Sequence, residues 1–173
     1  MMKNDFIFPI LALSLICLVM AGTLALVNNV TYPIIEEAAY YRAIEAMRNI
    51  IPQADDFLIV ESDNLPAAVV AAHKAANDTG YIFIVSTRGF GGEMLIMTGI
   101  DINGNFIGSS VLAHSETISF ANRVFAVRDD YEARGQSLLE VDAITGATIS
   151  FRAYQHAVRY AHEAFDALRR SGQ

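Results

Sequence analysis

Between Asp5 and Glu36 the chain carries no charged residue. The strongly apolar part, residues 6–27, reads FIFPILALSLICLVMAGTLALV. A helix needs about 20 such residues to cross the hydrocarbon core of a bilayer. Lipid offers no partner to backbone N–H and C=O groups, so a stretch like this is held to a single spanning helix. Pro9 is expected in the first turn, where it costs little, and Gly22 and Thr23 are tolerated in lipid helices. A cleaved signal sequence would have a shorter apolar core, about 7–15 residues, with a small-x-small cleavage site after it. Here the core is followed by Val27-Asn28-Asn29-Val30-Thr31, so a retained anchor is expected. Ile16 also precedes Cys17, where a lipoprotein signal would have a small residue. Lys3 lies before the segment and Glu36 and Glu37 after it. The positive-inside tendency places residues 1–5 in the cytoplasm and the rest of the chain outside the cell (inner) membrane.

The remaining chain is long enough for one modest domain. The formal net charge of −7 and the absence of any Lys/Arg run argue against nucleic acid, which needs a basic patch. One cysteine cannot form an intramolecular disulfide, and Cys17 falls inside the apolar segment as a small hydrophobe. Tyr40, Ile44, Met47 and Ile51 recur at helical spacing, so a helix that continues from the membrane is expected up to Pro52, which stops it. Residues 52–66 read as a loop with room for a short strand at 57–60. The alanine-rich residues 67–76 fit helix or strand. From Gly80 the pattern becomes aromatic and β-branched. Strands are expected over 81–87, 93–100 and 106–113, joined by Arg88-Gly89-Phe90-Gly91-Gly92 and by an Asn-Gly hairpin turn at 101–105. Residues 118–131 read as a helix, and a second begins near Ile149. There Ala153, Ala157, Ala161, Ala164 and Leu168 mark a close-packing face, with Arg152, Arg159, Glu163 and Arg170 elsewhere. The fold class expected is α+β: an N-terminal transmembrane helix, then a small antiparallel sheet packed with helices. The segments are residues 1–5, a transmembrane helix at 6–27, a juxtamembrane helix and connection at 28–75, and a domain at 76–173.

Candidate chemistry gathers in VDAITGATIS, residues 141–150. Thr148 and Ser150 stand at the start of the last helix. Unpaired N–H groups and a partial positive charge at such a terminus suit a phosphate. Gly146 and Ala147 leave the backbone open to a bulky group, and the Thr148 hydroxyl is available for esterification. On composition alone these hydroxyls are equally helix caps and Asp142 an ordinary turn residue. His114 and Glu116 follow the third strand. They form either a polar wall beside a ligand or a solvated strand end. Tyr81, Phe90 and Phe120 could stack on an aromatic ligand, but such residues more often belong to the core. His156 and His162 are six apart, off the i, i+4 spacing of a shared metal, and no metal site is expected.

The run Asp142-x-x-Thr145-Gly146-Ala147-Thr148 resembles the flavinylation motif of the FMN-binding domain family. That family includes the G subunit of the Rnf electron-transport complex and the C subunit of the sodium-translocating NADH:quinone reductase. Gly91-Gly92-Glu93, Thr98-Gly99-Ile100-Asp101, Asn103-Gly104-Asn105 and the run from Val111 through His114-Ser115-Glu116-Thr117 resemble it too, as does the helix end at Ile51-Pro52-Gln53-Ala54. The resemblance covers residues 40–167. It implies FMN bound covalently through a phosphoester to Thr148, placed there from FAD by a flavin transferase. It also implies Asp142, Thr145, Gly146, Ala147, His114, Glu116 and Thr117 around the cofactor. The implied task is electron relay beside other membrane subunits of an Rnf-like, ion-translocating complex. The chain departs from the family at Ile118-Ser119-Phe120-Ala121, where a Pro-Gly-Leu-Gly turn is usual. Two other readings remain at this point: a stand-alone membrane-anchored flavoprotein electron carrier, and a structural subunit without flavin.

Overall fold

The computed structural model describes residues 4–116 and 145–171. It has two compact units, residues 1–42 and residues 43–173. Helix α1 runs Asn4–Ile50 without a break, about 70 Å at 1.5 Å per residue. Within the first unit the large apolar side chains lie open, Phe8 at 76%, Leu18 at 70% and Leu24 at 72% exposure among them. No protein core shields them, which is the condition of a helix solvated by lipid. This helix is long and apolar enough to cross a membrane. Pro9 and Pro33 both sit inside it. Since the helix begins at Asn4, Pro9 lies one turn further in than the apolar run suggests. Thr23 and Thr31 fold their hydroxyls back onto the carbonyls of Val19 and Val27 at 2.9 and 2.6 Å, which satisfies those polar groups within the helix.

The second unit is a five-stranded meander in the order β1-β2-β3-β4-β5, antiparallel throughout. The strands are β1 Phe57–Ile59, β2 Val69–Ala75, β3 Gly80–Arg88, β4 Glu93–Asp101 and β5 Phe106–His114. The alanine-rich ambiguity at 67–76 resolves to strand. Ala72 and Ala75 are buried there, and β2 is held between β1 and β3. The β4–β5 turn closes as its sequence demands. The Asp101 carboxylate accepts from the N–H groups of Asn103 and Asn105, each at 2.8 Å. Gly104 takes a φ of 94°, a left-handed conformation that glycine enters without strain.

Both faces of the central strands are covered. Tyr81, Phe83 and Val85 of β3 join Met94, Ile96 and Ile100 of β4 against helix α2, Thr148–Ser171. The alternate residues Ile82 and Met97 pack on Met47, Ile50 and Ile51 at the end of α1. Coverage on both sides is why the sequence of β4 is apolar on both faces. The small-residue face of α2 is the buried one. Ala153, Ala157, Ala161, Ala164 and Leu168 are all 5% exposed or less, while Arg152, Arg159, Glu163 and Arg170 face solvent. Small side chains let the helix backbone approach the sheet, and Phe151, Tyr154 and Phe165 fill the spaces beside them.

A candidate flavin-tethering site at the start of α2

Three segments distant in sequence meet where α2 begins. The first is the motif itself. Gly146 has a φ of 82°, so the chain turns into the helix through a left-handed residue, which a Cβ would strain. Ala147 follows, 5% exposed and part of the core. The Ala147 carbonyl accepts from the Phe151 N–H at 2.9 Å. This is the first turn's closing bond, so Ala147 occupies the N-cap position and Thr148 the first helical one. The hydroxyls therefore do not stand at the cap, where composition alone would put one. Alanine has no side-chain acceptor to offer the first-turn N–H groups. Thr145 and Gly146 are exposed, Thr148 is half-buried, Ile149 is exposed and Ser150 is buried.

The second segment is the β3–β4 loop. Gly89, Gly91 and Gly92 are not interchangeable with larger residues. A Cβ on Gly91 would lie 2.3 Å from the Ser115 carbonyl oxygen, and one on Gly89 would lie 2.0 Å from Glu116 Oε1. Close approach, beyond simple turn formation, is thus why glycines stand here. The third segment is Ser115-Glu116, just past β5. Glu116 is 7% exposed. Its Oε1 accepts from the Gly91 N–H at 3.0 Å, and its Oε2 is buried with no hydrogen-bond partner among the described residues. The Phe90 N–H donates to Ser150 Oγ at 3.4 Å, tying the loop to the helix.

Between the loop and the helix lies a cavity of about 260 Å³, lined by Phe90, Gly146, Ala147, Thr148, Ile149 and Ser150. The motif residues Gly146, Ala147 and Thr148 thus share one cavity wall. Thr145 adjoins it in sequence. Glu116 reaches the same region through Gly91, whereas His114 ends β5 with its side chain exposed. Asp142 and Thr117, along with Phe120 and the helix expected at 118–131, lie outside the described residues. Tyr81 is core, 8% exposed, as its pattern suggests, but Phe90 is not: it is 68% exposed. The signal was present in Gly89-Phe90-Gly91-Gly92, because an aromatic at the tip of a glycine hairpin sits on the surface, where loops run.

The site suits a phosphate-bearing group. It combines a helix start, an uncharged cap residue, a threonine and an aromatic residue in the lining of one cavity. At about 260 Å³ it is slightly smaller than the roughly 300–1,000 Å³ of ligand pockets.

The fold is a small α+β domain, an antiparallel sheet with a helix packed on it, and the cavity lies at the start of that helix. Residues 89–163 match the model of the FMN-binding domain family. Relatives of the chain include the G subunit of an ion-translocating oxidoreductase complex from Stutzerimonas stutzeri, 29% identical over 72% of this chain and 58% of that protein. The corresponding protein from Shewanella piezotolerans is 26% identical over 92% of this chain and 89% of its own length. The G subunit of a Na(+)-translocating ferredoxin:NAD(+) oxidoreductase complex from Acetobacterium woodii is 26% identical over 91% and 90%.

Proposed function

We propose that this protein is the electron-relay subunit of a membrane-bound, Rnf-like ion-translocating oxidoreductase, carrying FMN in phosphoester linkage to Thr148. The observation that carries this reading is that Thr148, a half-buried residue, lines a cavity at the N-terminus of α2. The names of the relatives support the complex, and the family match supports the cofactor.

Attachment follows from simple chemistry. Thr148 Oγ attacks the flavin-side phosphorus of FAD on a flavin transferase. The bridging P–O bond breaks, AMP leaves, and the hydroxyl proton passes to base or solvent. The resulting phosphodiester keeps one negative charge, which the helix N-terminus stabilises. Gly146 gives the transferase access to Thr148, and Ala147 anchors the motif in the core so that the hydroxyl cannot swing away. Asp142, Thr145, His114, Glu116 and Thr117 complete the surroundings in this reading. FMN supplies the redox chemistry, and the protein holds and orients it. A tether through the phosphate leaves the ring system unmodified. It also retains the cofactor outside the cytoplasm, where the positive-inside tendency places this domain. Helix α1 anchors the protein in the cell (inner) membrane beside the other membrane subunits with which it exchanges electrons.

Intact mass of the denatured, exported protein, co-expressed with a flavin transferase, tests the assignment. The wild type gains one FMN less one water, and Thr148→Ala does not while keeping its melting temperature. Covalent flavin retained in Thr148→Ala would move the site elsewhere. An unmodified wild type would leave the domain in a purely structural role.

A further inference from the structure

We infer that Phe90 is a flavin-contacting residue, its ring forming the face against which the isoalloxazine rests, and that Glu116 is the positioning residue that holds it there. The inference depends on the FMN reading above and adds to it the place of the ring. Phe90 is large, apolar and 68% exposed, yet its backbone is fixed on both sides. Gly91 is closed in by backbone, where a Cβ would lie 2.3 Å from the Ser115 carbonyl oxygen, and Gly89 lies against the Glu116 side chain. The Gly91 N–H is bound to Glu116 at 3.0 Å and the Phe90 N–H to Ser150 Oγ at 3.4 Å. A buried carboxylate is an expensive clamp unless the loop geometry it secures is needed. What it secures is an aromatic side chain on the same cavity as Thr148. Flat aromatic systems stack in offset or edge-to-face arrangements at short range. A ring system tethered at Thr148 therefore finds an apolar aromatic side chain lining the same cavity.

The test uses full-length protein in detergent, co-expressed with a flavin transferase. Wild type, Phe90→Trp and Ile102→Trp are compared for intact mass and for flavin fluorescence. Ile102 is exposed in the β4–β5 turn, away from the cavity. A tryptophan in contact with a flavin quenches its emission by electron donation. All three proteins should carry one FMN less one water. Emission should fall severalfold in Phe90→Trp and stay at the wild-type level in Ile102→Trp. Adding Glu116→Ala to Phe90→Trp should restore emission, while adding Glu116→Gln, which keeps an oxygen for the Gly91 N–H, should not. Equal emission from wild type and Phe90→Trp overturns the stacking role. Loss of attachment in Phe90→Trp alone also overturns it, because Phe90 would then act in loading. Quenching that persists with Glu116→Ala overturns the positioning role. An unflavinylated wild type instead brings down the FMN reading itself.

Discussion

Gly146 shows how much a single residue decides in this domain. The chain enters α2 through this residue at a φ of 82°. The next residue is buried and the one after it carries the hydroxyl. Glycine is the only residue that makes this turn without strain. Gly146→Ala should destabilise the protein by about 1–2 kcal/mol, read as a lower melting temperature. Because the strain falls next to Thr148, the fraction of flavinylated protein should fall as well. A variant with unchanged melting temperature and full flavin loading would remove Gly146 from the argument. Glu116 and Phe90 make the complementary point. One is a charged residue buried against backbone, the other an aromatic left in the open. Each inverts the ordinary preference of its type, and both do so at the same site.

At the scale of elements, the two helices approach the sheet by different means. Helix α2 presents a face of alanines. The end of α1 instead meets a glycine in the sheet: a Cβ on Gly99 would lie 2.3 Å from Ile50 Cγ2. Gly99→Ala should therefore cost about 1–3 kcal/mol by overpacking. The cost should shrink when Ile50→Ala removes the opposing methyl, a coupling that a double-mutant cycle resolves. Additive effects of the two changes would show that the contact does not limit the approach. The bulges of the β4–β5 pair act at this scale too. Between Leu95/Ile96 and Gly99/Ile100 the register shifts, leaving Leu112 and Ile107 as extra residues on β5. Leu112 packs toward the α1 side.

The whole molecule divides at Arg42 rather than at the end of the apolar segment. The last two turns of α1 are domain core, since Met47, Ile50 and Ile51 cover Ile82 and Met97. Burying each such side chain is worth about 1.5–3 kcal/mol. A chain beginning at Ala43 should be soluble without detergent and melt cooperatively. One beginning at Pro52 uncovers the Ile82–Met97 face and should aggregate or melt at markedly lower temperature. Equal behaviour of the two would mean that this part of the helix contributes nothing to the domain.

Much of this was written locally in the chain. Hydropathy marked out a helix long and apolar enough to cross a membrane, because a charge-free run of that length suits little else. Aromatic and β-branched runs and an Asn-Gly turn defined β3, β4 and β5, because strand propensity and hairpin geometry are set within a few residues. The spacing of alanines named the buried face of α2. The motif at residues 142–148 pointed to Thr148. Other features depended on contacts between distant segments. The alanines of 67–76 became a strand only because β1 and β3 lie on either side to pair with them. Glu116 was buried by the arrival of Gly89 and Gly91, more than twenty positions away. That exposed Phe90 lines this particular cavity depends on its loop being tied to Ser150, sixty residues on. Sequence determines what each segment can form, since propensity and hydropathy act over short range. Which polar group is buried and which ring lines the site are decided by steric and hydrogen-bonding contacts that exist only once the sheet and α2 have come together.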